Sequence, residues 1–316
     1  MPGAADRTVD SGPSVAEAFR RSVAQLRAAR LHYGHGTHNA RDEAAFLILH
    51  LLGLPPQSLA PLGDRRLSAG QARRLRTLVA RRIRTRQPAA YLLREAWLGE
   101  HRFYIDRRVI VPRSHIAELL HEHLAPWIRP PVRRVLDLCT GSGCLAVLAA
   151  DAFPAARVDA SDNARAALAV AERNVALHGL QRRVHLWRSD LFAALSGRRY
   201  DVILCNPPYV TTAGMRRLPA EYRAEPRRAL AGGADGLDFV RRLLREAPRH
   251  LTPRGMLVCE IGSNRPALER AFPRVPFLWP ETSARDGRVF LLERADFPVR
   301  PVASASPVRA KRRRGR

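Results

Sequence analysis

The sequence predicts an α/β chain: a Rossmann-like, doubly wound sheet of seven strands, preceded by a small helical domain. Three observations carry this reading. From residue 132 onward, short apolar runs alternate with segments of helical period. Two of those runs end abruptly, one in Asp137-Leu-Cys-Thr-Gly-Ser-Gly143 and the other in Asn206-Pro-Pro-Tyr209. Residues 14–86 hold helical periodicity only.

The helical part is punctuated by cap residues. Ser14 followed by Glu17 reads as a capping box, with Val15, Ala18, Phe19, Val23 and Leu26 on the apolar face behind it. Asn39 caps a second helix with Ala44, Leu47, Ile48 and Leu51 inward, and Pro55-Pro56 ends it. Ser68 starts a third helix through Leu75, Leu78, Val79 and Ile83, whose other faces are rich in arginine. Trp97 to Ile105 reads as a hairpin turning near Gly99, and Val109-Ile110-Val111 as another short strand.

Seven sheet strands are expected at 133–138, 156–160, 183–188, 200–205, 255–261, 275–279 and 288–293, the last two closing the sheet as an antiparallel hairpin. Helices are expected at 143–152, 164–178, 235–249 and 265–272. The organisation is then a disordered tail over 1–13 and a helical substrate-recognition domain over 14–88. A hairpin linker covers 89–111, the catalytic α/β domain 112–299, and a basic disordered tail 300–316.

Composition narrows the class. Hydrophobic residues make up 46% of 316, enough for a sizeable core. No stretch approaches the roughly 18 uninterrupted apolar residues of a membrane span, and Met1–Pro13 does not read as a secretory signal, so a cytoplasmic protein is expected. The net charge of +25 points to anionic partners such as nucleic acid or ribonucleoprotein. Lys311 is the only lysine, and that bias towards arginine reflects GC-rich coding. It does not explain why only 29 acidic residues oppose 54 basic ones. The ending Lys311-Arg-Arg-Arg-Gly-Arg316 reads as a solvated basic arm. Cys139, Cys144, Cys205 and Cys259 form no C-x-x-C pair and read as reduced thiols near strands, and no metal site is expected.

Ligands of doubly wound sheets bind beyond the carboxyl ends of the strands. Gly141 and Gly143 allow close approach to the backbone at such an end, and the helix that follows directs free N–H groups at the site. The spacing does not complete G-x-G-x-x-G, and no Gly-Lys-Ser/Thr follows, which weakens nicotinamide and nucleoside-triphosphate readings. Asp162 and Asp190 end the next two strands, where one carboxylate would accept ribose hydroxyls and the other an adenine amine. Helix capping is the competing role for each acid taken singly. The second strand end suits a planar amide or amine. Asn206 offers a side-chain oxygen and Pro207 a carbonyl, Pro207-Pro208 stiffens the loop, and Tyr209 supplies a flat ring. An acceptor oxygen on each N–H orients a nitrogen whose lone pair is otherwise delocalised. Together the two loops suggest methyl transfer to a planar nitrogen.

These motifs, with Ser189-Asp-Leu-Phe192, Glu221-Tyr-Arg-Ala-Glu-Pro226 and Ala229-Leu-Ala-Gly-Gly-Ala-Asp-Gly-Leu237, resemble the HemK-like glutamine methyltransferase family of Class I S-adenosylmethionine-dependent enzymes. The resemblance spans about residues 14–295. Gly34-His-Gly-Thr-His-Asn-Ala-Arg-Asp-Glu-Ala44, Cys139 and Val111-Pro-Arg-Ser114 are similar to the branch that modifies the third protein of the large ribosomal subunit. The resemblance implies S-adenosylmethionine as cofactor and S-adenosylhomocysteine as product. It also implies that Asp137, Thr140, Gly141 and Gly143 line the methionine end, Asp162 the ribose, and Asp190 with Leu191 the adenine. Asn206, Pro207, Pro208 and Tyr209 would grip the substrate glutamine. The implied partner is a ribosomal protein or its assembling RNA complex; separately, the net charge of +25 suggests nonspecific RNA contact through the arginine-rich surface and tail. Leu93-Arg94-Glu95 lacks the family's expected glycine, and Asn163-Ala-Arg-Ala166 replaces its usual Ile-Ser-Pro-Asp.

Three alternatives stand beside this reading: modification of a release-factor glutamine, methylation of an adenine or guanine amine in nucleic acid, and a non-catalytic ribosome assembly factor.

Overall fold

The computed structural model describes residues 11–58, 62–283 and 287–297. Strand β1 (Ser11–Ser14) leads into α1 (Val15–Ala28), followed by α2 (Ala40–Leu52), β2 (Arg66–Ser68) and α3 (Ala69–Thr85). All three expected caps are made. Ser14 and Glu17 close a capping box, Ser68 and Gln71 close a second, and the Asn39 side chain accepts from the N–H groups of Arg41 and Asp42. The three helices share a core built on Leu26, Leu47, Ile48, Leu75 and Val79. Residues 11–13, expected in the tail, instead belong to β1, which pairs antiparallel with β2. Gly12 permits it, because a Cβ there would stand 2.8 Å from the Leu67 carbonyl. Residues 1–10 and the expected basic tail from 300 onward lie outside the described residues.

Helix α4 (Ala89–Leu93) follows, then the hairpin of β3 (Glu95–Leu98) and β4 (His101–Tyr104), turning at Gly99 with φ +59°. Val109–Val111 is not a strand. Its polar groups are taken singly, the Val109 carbonyl by the Tyr91 hydroxyl at 2.6 Å and the Val111 N–H by Glu225 at 3.1 Å.

The remaining chain builds one sheet. In chain order its elements are α5 (Ile116–His121), β5 (Arg134–Leu138), α6 (Cys144–Ala152), β6 (Arg157–Asp162), α7 (Arg165–Leu177) and β7 (Val184–Arg188). Then come β8 (Tyr200–Cys205), α8 (Thr212–Arg217), α9 (Asp238–His250), β9 (Leu251–Glu260), α10 (Arg265–Ala271) and β10 (Val289–Glu293). The sheet order is β10-β9-β8-β5-β6-β7, parallel except for β10. Strands β5 and β8 lie at its centre and are buried at every position except Arg134 and Asp201, as parallel strands covered on both faces are.

The sheet has six strands rather than seven. Residues 275–279 reach its edge but make a single antiparallel bridge, Leu278 to Leu291. Pro276 and Pro280 flank that bridge and have no N–H to extend a ladder. Strand order reverses between β5 and β8: the chain runs outward through β6 and β7, then returns to the other side of β5. That reversal opens a crevice at the carboxyl ends of these two strands.

Candidate active site

Four parallel strands deliver polar groups to that end of the sheet. Across it lie Glu260 on β9, Asn206 to Tyr209 after β8, Asp137 to Gly143 on and after β5, and Asp162 on β6. Asp137 pairs with Leu204, so the glycine-rich turn and the Asn-Pro-Pro-Tyr turn leave neighbouring strands at nearly the same level.

The glycine-rich turn is tightly wired. Asp137 is fully buried and accepts from the Thr140 hydroxyl at 2.6 Å, while its other oxygen, Oδ1, is buried with no hydrogen-bond partner. Burial pushes the Asp137 carboxyl up to about 7. Gly143, at φ +80°, starts α6, and a Cβ there would press on Ala171 at 3.1 Å. Asp162 accepts from the Gly141 N–H at 3.1 Å and the Ala164 N–H at 2.9 Å, so it ties the turn to the start of α7. Burial raises its pKa too. Asp190 is exposed and pairs with Arg242 at 2.9 Å, whereas Leu191 is buried in a left-handed conformation, φ +51°. A buried carboxylate oxygen without a partner, in a turn with glycine at 141 and 143, fits a cationic, nucleoside-bearing ligand.

The second turn is built to keep its acceptors available. Among the described residues, neither the Asn206 side-chain amide nor the Pro207 carbonyl has an intramolecular hydrogen-bond partner. Asn206, Pro207 and Tyr209 line a cavity of about 1230 Å³, together with Arg113, Ser114 and Glu260. The glycine-rich turn, on the neighbouring strand, meets this turn at the crevice between β5 and β8.

Tyr209 is held on all sides. Its hydroxyl donates to Glu260 at 3.2 Å, and its carbonyl accepts from the Asn264 side chain at 2.7 Å. A Cβ on Gly232 would lie 2.7 Å from the Tyr209 Cα, and one on Gly262 2.7 Å from its ring. Burial, with Glu260 next, raises the phenol's pKa.

Glu260 is itself nearly buried and accepts from the Ser114 hydroxyl at 2.7 Å and the His115 N–H at 2.9 Å. Burial raises its pKa as well. Behind the clamp, two buried glutamates fasten the 220–226 segment. Glu221 accepts from the His32 N–H and from Arg86, with Arg82 at 3.6 Å. Glu225 holds Arg113 through both guanidinium nitrogens. Tyr222 lies between them, its ring 4.4 Å from that of the buried His35. Burial, with Arg113 second, pushes His35 down to about 3, so it is a neutral ring.

Sequence reasoning missed Glu260, although an acid at a strand end was the rule that selected Asp162 and Asp190. Glu221 and Glu225 stood in a recognised motif without a role, because their partners are distant in sequence: His32, Arg82 and Arg86 of the helical part for Glu221, and Val111 and Arg113 for Glu225. Among the described residues no group of three or more His, Cys, Asp or Glu could hold a metal ion.

Residues 17–93 match the model of the PrmC N-terminal domain, and residues 115–221 that of the methyltransferase small domain. A ribosomal protein uL3 glutamine methyltransferase of Bordetella pertussis is 55% identical over 87% of this chain and 93% of its own. The chain belongs to the ribosomal protein uL3 glutamine methyltransferase family. The Burkholderia pseudomallei member is 50% identical over 90% of this chain and 96% of its own. Among solved structures, TrmN from Thermus thermophilus overlaps 78% of this chain and 77% of its own, at 24% identity and a TM-score of 0.41.

Proposed function

We propose that this chain transfers a methyl group from S-adenosylmethionine to the side-chain amide nitrogen, N5, of a glutamine in ribosomal protein uL3. One observation carries the chemistry. Two acceptors, the Asn206 amide oxygen and the Pro207 carbonyl, stand free at the wall of a large cavity, beside a turn suited to the methyl donor.

An amide nitrogen is a poor nucleophile because its lone pair is shared with the carbonyl. Asn206 and Pro207 each accept one of its N–H groups, which fixes its direction and raises its electron density. Asn is neutral, so no unpaired charge is buried beside a neutral amide. The stiff Pro-Pro turn, with Tyr209 wedged behind it, holds that geometry, and orientation of this kind supplies much of the barrier reduction. Asp137, Thr140, Gly141 and Gly143 would hold the methionine end of the donor, Asp162 the ribose, and Asp190 with Leu191 the adenine. When bound, S-adenosylmethionine supplies an electrophilic sulfonium methyl and leaves as S-adenosylhomocysteine. Once the N–C bond forms, the cationic N-methyl amide gives its proton to solvent water, so the clamp needs no strong base.

Residues 14–88 serve as the substrate-recognition domain and 112–299 as the methyltransferase domain, with the 89–111 hairpin between them. The basic surface contacts RNA around the acceptor. Among the described residues no helix is long and apolar enough to cross a membrane, and the reaction is assigned to the cytoplasm, where ribosomal proteins are made.

The test is incubation with methyl-labelled S-adenosylmethionine and, separately, purified uL3, release factor and RNA, followed by mass spectrometry. Label on a uL3 glutamine is expected, and its loss in Asn206→Ala with donor binding retained. Label only on release factor or RNA would overturn the proposal.

A further inference from the structure

We propose that Arg81, Arg94 and Arg107 form a phosphate-binding site for an RNA strand, apart from the methyl-transfer centre. The three residues wall one open cavity of about 400 Å³ beside Gln87, Tyr91 and Leu92. They come from three different elements: α3, the end of α4, and the turn after β4. One helix rich in arginine could owe that to coding bias. Convergence from three elements on one cavity is a property of the fold.

The cavity keeps its positive charge. Its carboxylate, Asp106, is already bound by Arg108 at 2.8 and 2.6 Å and by the Tyr104 hydroxyl at 2.9 Å. Among the described residues Arg81, Arg94 and Arg107 have no carboxylate partner. Arg94 also holds a left-handed backbone, φ +55°, at the end of α4. Residues bearing a Cβ pay about 1 kcal/mol or more for that conformation. Arginine therefore stands there against local preference, at the position where glycine is expected.

The partner is a chain of phosphates rather than a single anion. Helix α3 carries four more exposed arginines, Arg73, Arg74, Arg76 and Arg84, and no acidic residue. Arg73 to Arg84 spans about 16 Å of helix, a length suited to several phosphates of one strand. Planar guanidinium forks match phosphate oxygens in pairs. The 106–108 turn runs directly into Ile110–Ser114, part of the wall of the clamp's cavity. Naming RNA rests on the ribosomal-protein reading above.

The test uses the full-length protein and a short fluorescein-labelled single-stranded RNA, titrated by anisotropy at several salt concentrations. The variant Arg81→Gln/Arg94→Gly/Arg107→Gln is compared with Arg249→Gln/Arg270→Gln/Arg274→Gln, which removes equal charge elsewhere. The first is expected to bind about tenfold more weakly, with a log–log salt slope shallower by about 2. The second is expected to stay near wild type, and methylation of isolated uL3 to stay unchanged in both. Equal losses in the two variants, or no loss in the first, overturn the site. So does loss of binding to a labelled polyglutamate peptide while RNA binding holds. Wild-type protein that leaves uL3 unmodified, yet binds RNA in this variant-sensitive way, refutes the acceptor and leaves the site standing.

Discussion

Tyr209 donates its hydroxyl to Glu260 at 3.2 Å, joining the turn after β8 to the end of β9. The same carboxylate accepts from Ser114 and from the His115 N–H. Glu260 is thus the point where the clamp, the sheet and the segment entering the α/β domain are locked together. A nearly buried carboxylate is tolerable only because each oxygen is hydrogen-bonded.

Removing only the phenol oxygen separates the ring from its tether. Tyr209→Phe leaves Glu260 with Ser114 and His115, so the expected loss of stability is about 1 kcal/mol in urea melts. The ring keeps its seat against Gly262. Methyl transfer should therefore fall by roughly tenfold in kcat, far less than in Asn206→Ala. A Tyr209→Phe enzyme as inactive as Asn206→Ala would show that the hydroxyl is as necessary to transfer as the amide, and would refute its role as a mere tether.

Gly232 tests the same clamp from behind. Its missing Cβ would sit 2.7 Å from the Tyr209 Cα and 2.8 Å from the Pro208 carbonyl, both backbone atoms that cannot swing aside. Gly232→Ala should push the Asn-Pro-Pro-Tyr turn into the cavity. Displacement of reacting groups by about 1 Å costs roughly 100-fold in rate. Steady-state kinetics should show that loss in kcat, with donor affinity by calorimetry unchanged because the glycine-rich turn is on another strand. Unchanged turnover would mean that the turn has slack.

Arg82 is the fastening of the helical part. It is 1% exposed, bonds Glu43 at 2.8 Å and the His32 carbonyl at 3.0 Å, and faces Glu221 at 3.6 Å. Arg82→Met leaves two buried carboxylates without this cation, and breaking a buried pair from one side costs about 3–5 kcal/mol. Urea denaturation should show that loss. The double variant Arg82→Met/Glu43→Leu should recover part of it, since removing a buried pair entirely is much cheaper than halving it. Additive losses would refute the coupling.

Local rules made most of the framework legible. The caps Ser14, Asn39 and Ser68 mark their helices, and the apolar runs at β5 and β8 mark strands buried on both faces. The two turns could be read because glycine, proline and asparagine act through their own backbone. Pro276 and Pro280 overruled the hydrophobic signal at 275–279, one bridge being all that their missing donors allow. Glu221, Glu225 and Arg82 were opaque for the opposite reason. Their meaning lies in partners brought together only by folding, and no local pattern announces an ion pair between a helix of the first hundred residues and a loop of the third.

Asp137 makes the cofactor end of the site pH-dependent, in opposite directions for stability and binding. Its carboxyl is pushed by burial from 3.8 to about 7. Between those two values the folded protein holds a proton that the unfolded chain has released. The stabilising contribution is complete below the lower value and is lost as pH rises through the upper one. The unliganded protein should therefore melt at a lower temperature near pH 7 than near pH 5, by an amount that Asp137→Asn removes. A cationic donor favours the ionised carboxylate, so its binding expels that proton. Affinity for S-adenosylmethionine should rise as pH increases through about 7, then level off, with proton release measured by calorimetry in buffers of different ionisation enthalpy. Asp137→Asn should bind more weakly and without that pH dependence. A wild-type affinity that is flat with pH would place the donor's positive charge away from Asp137.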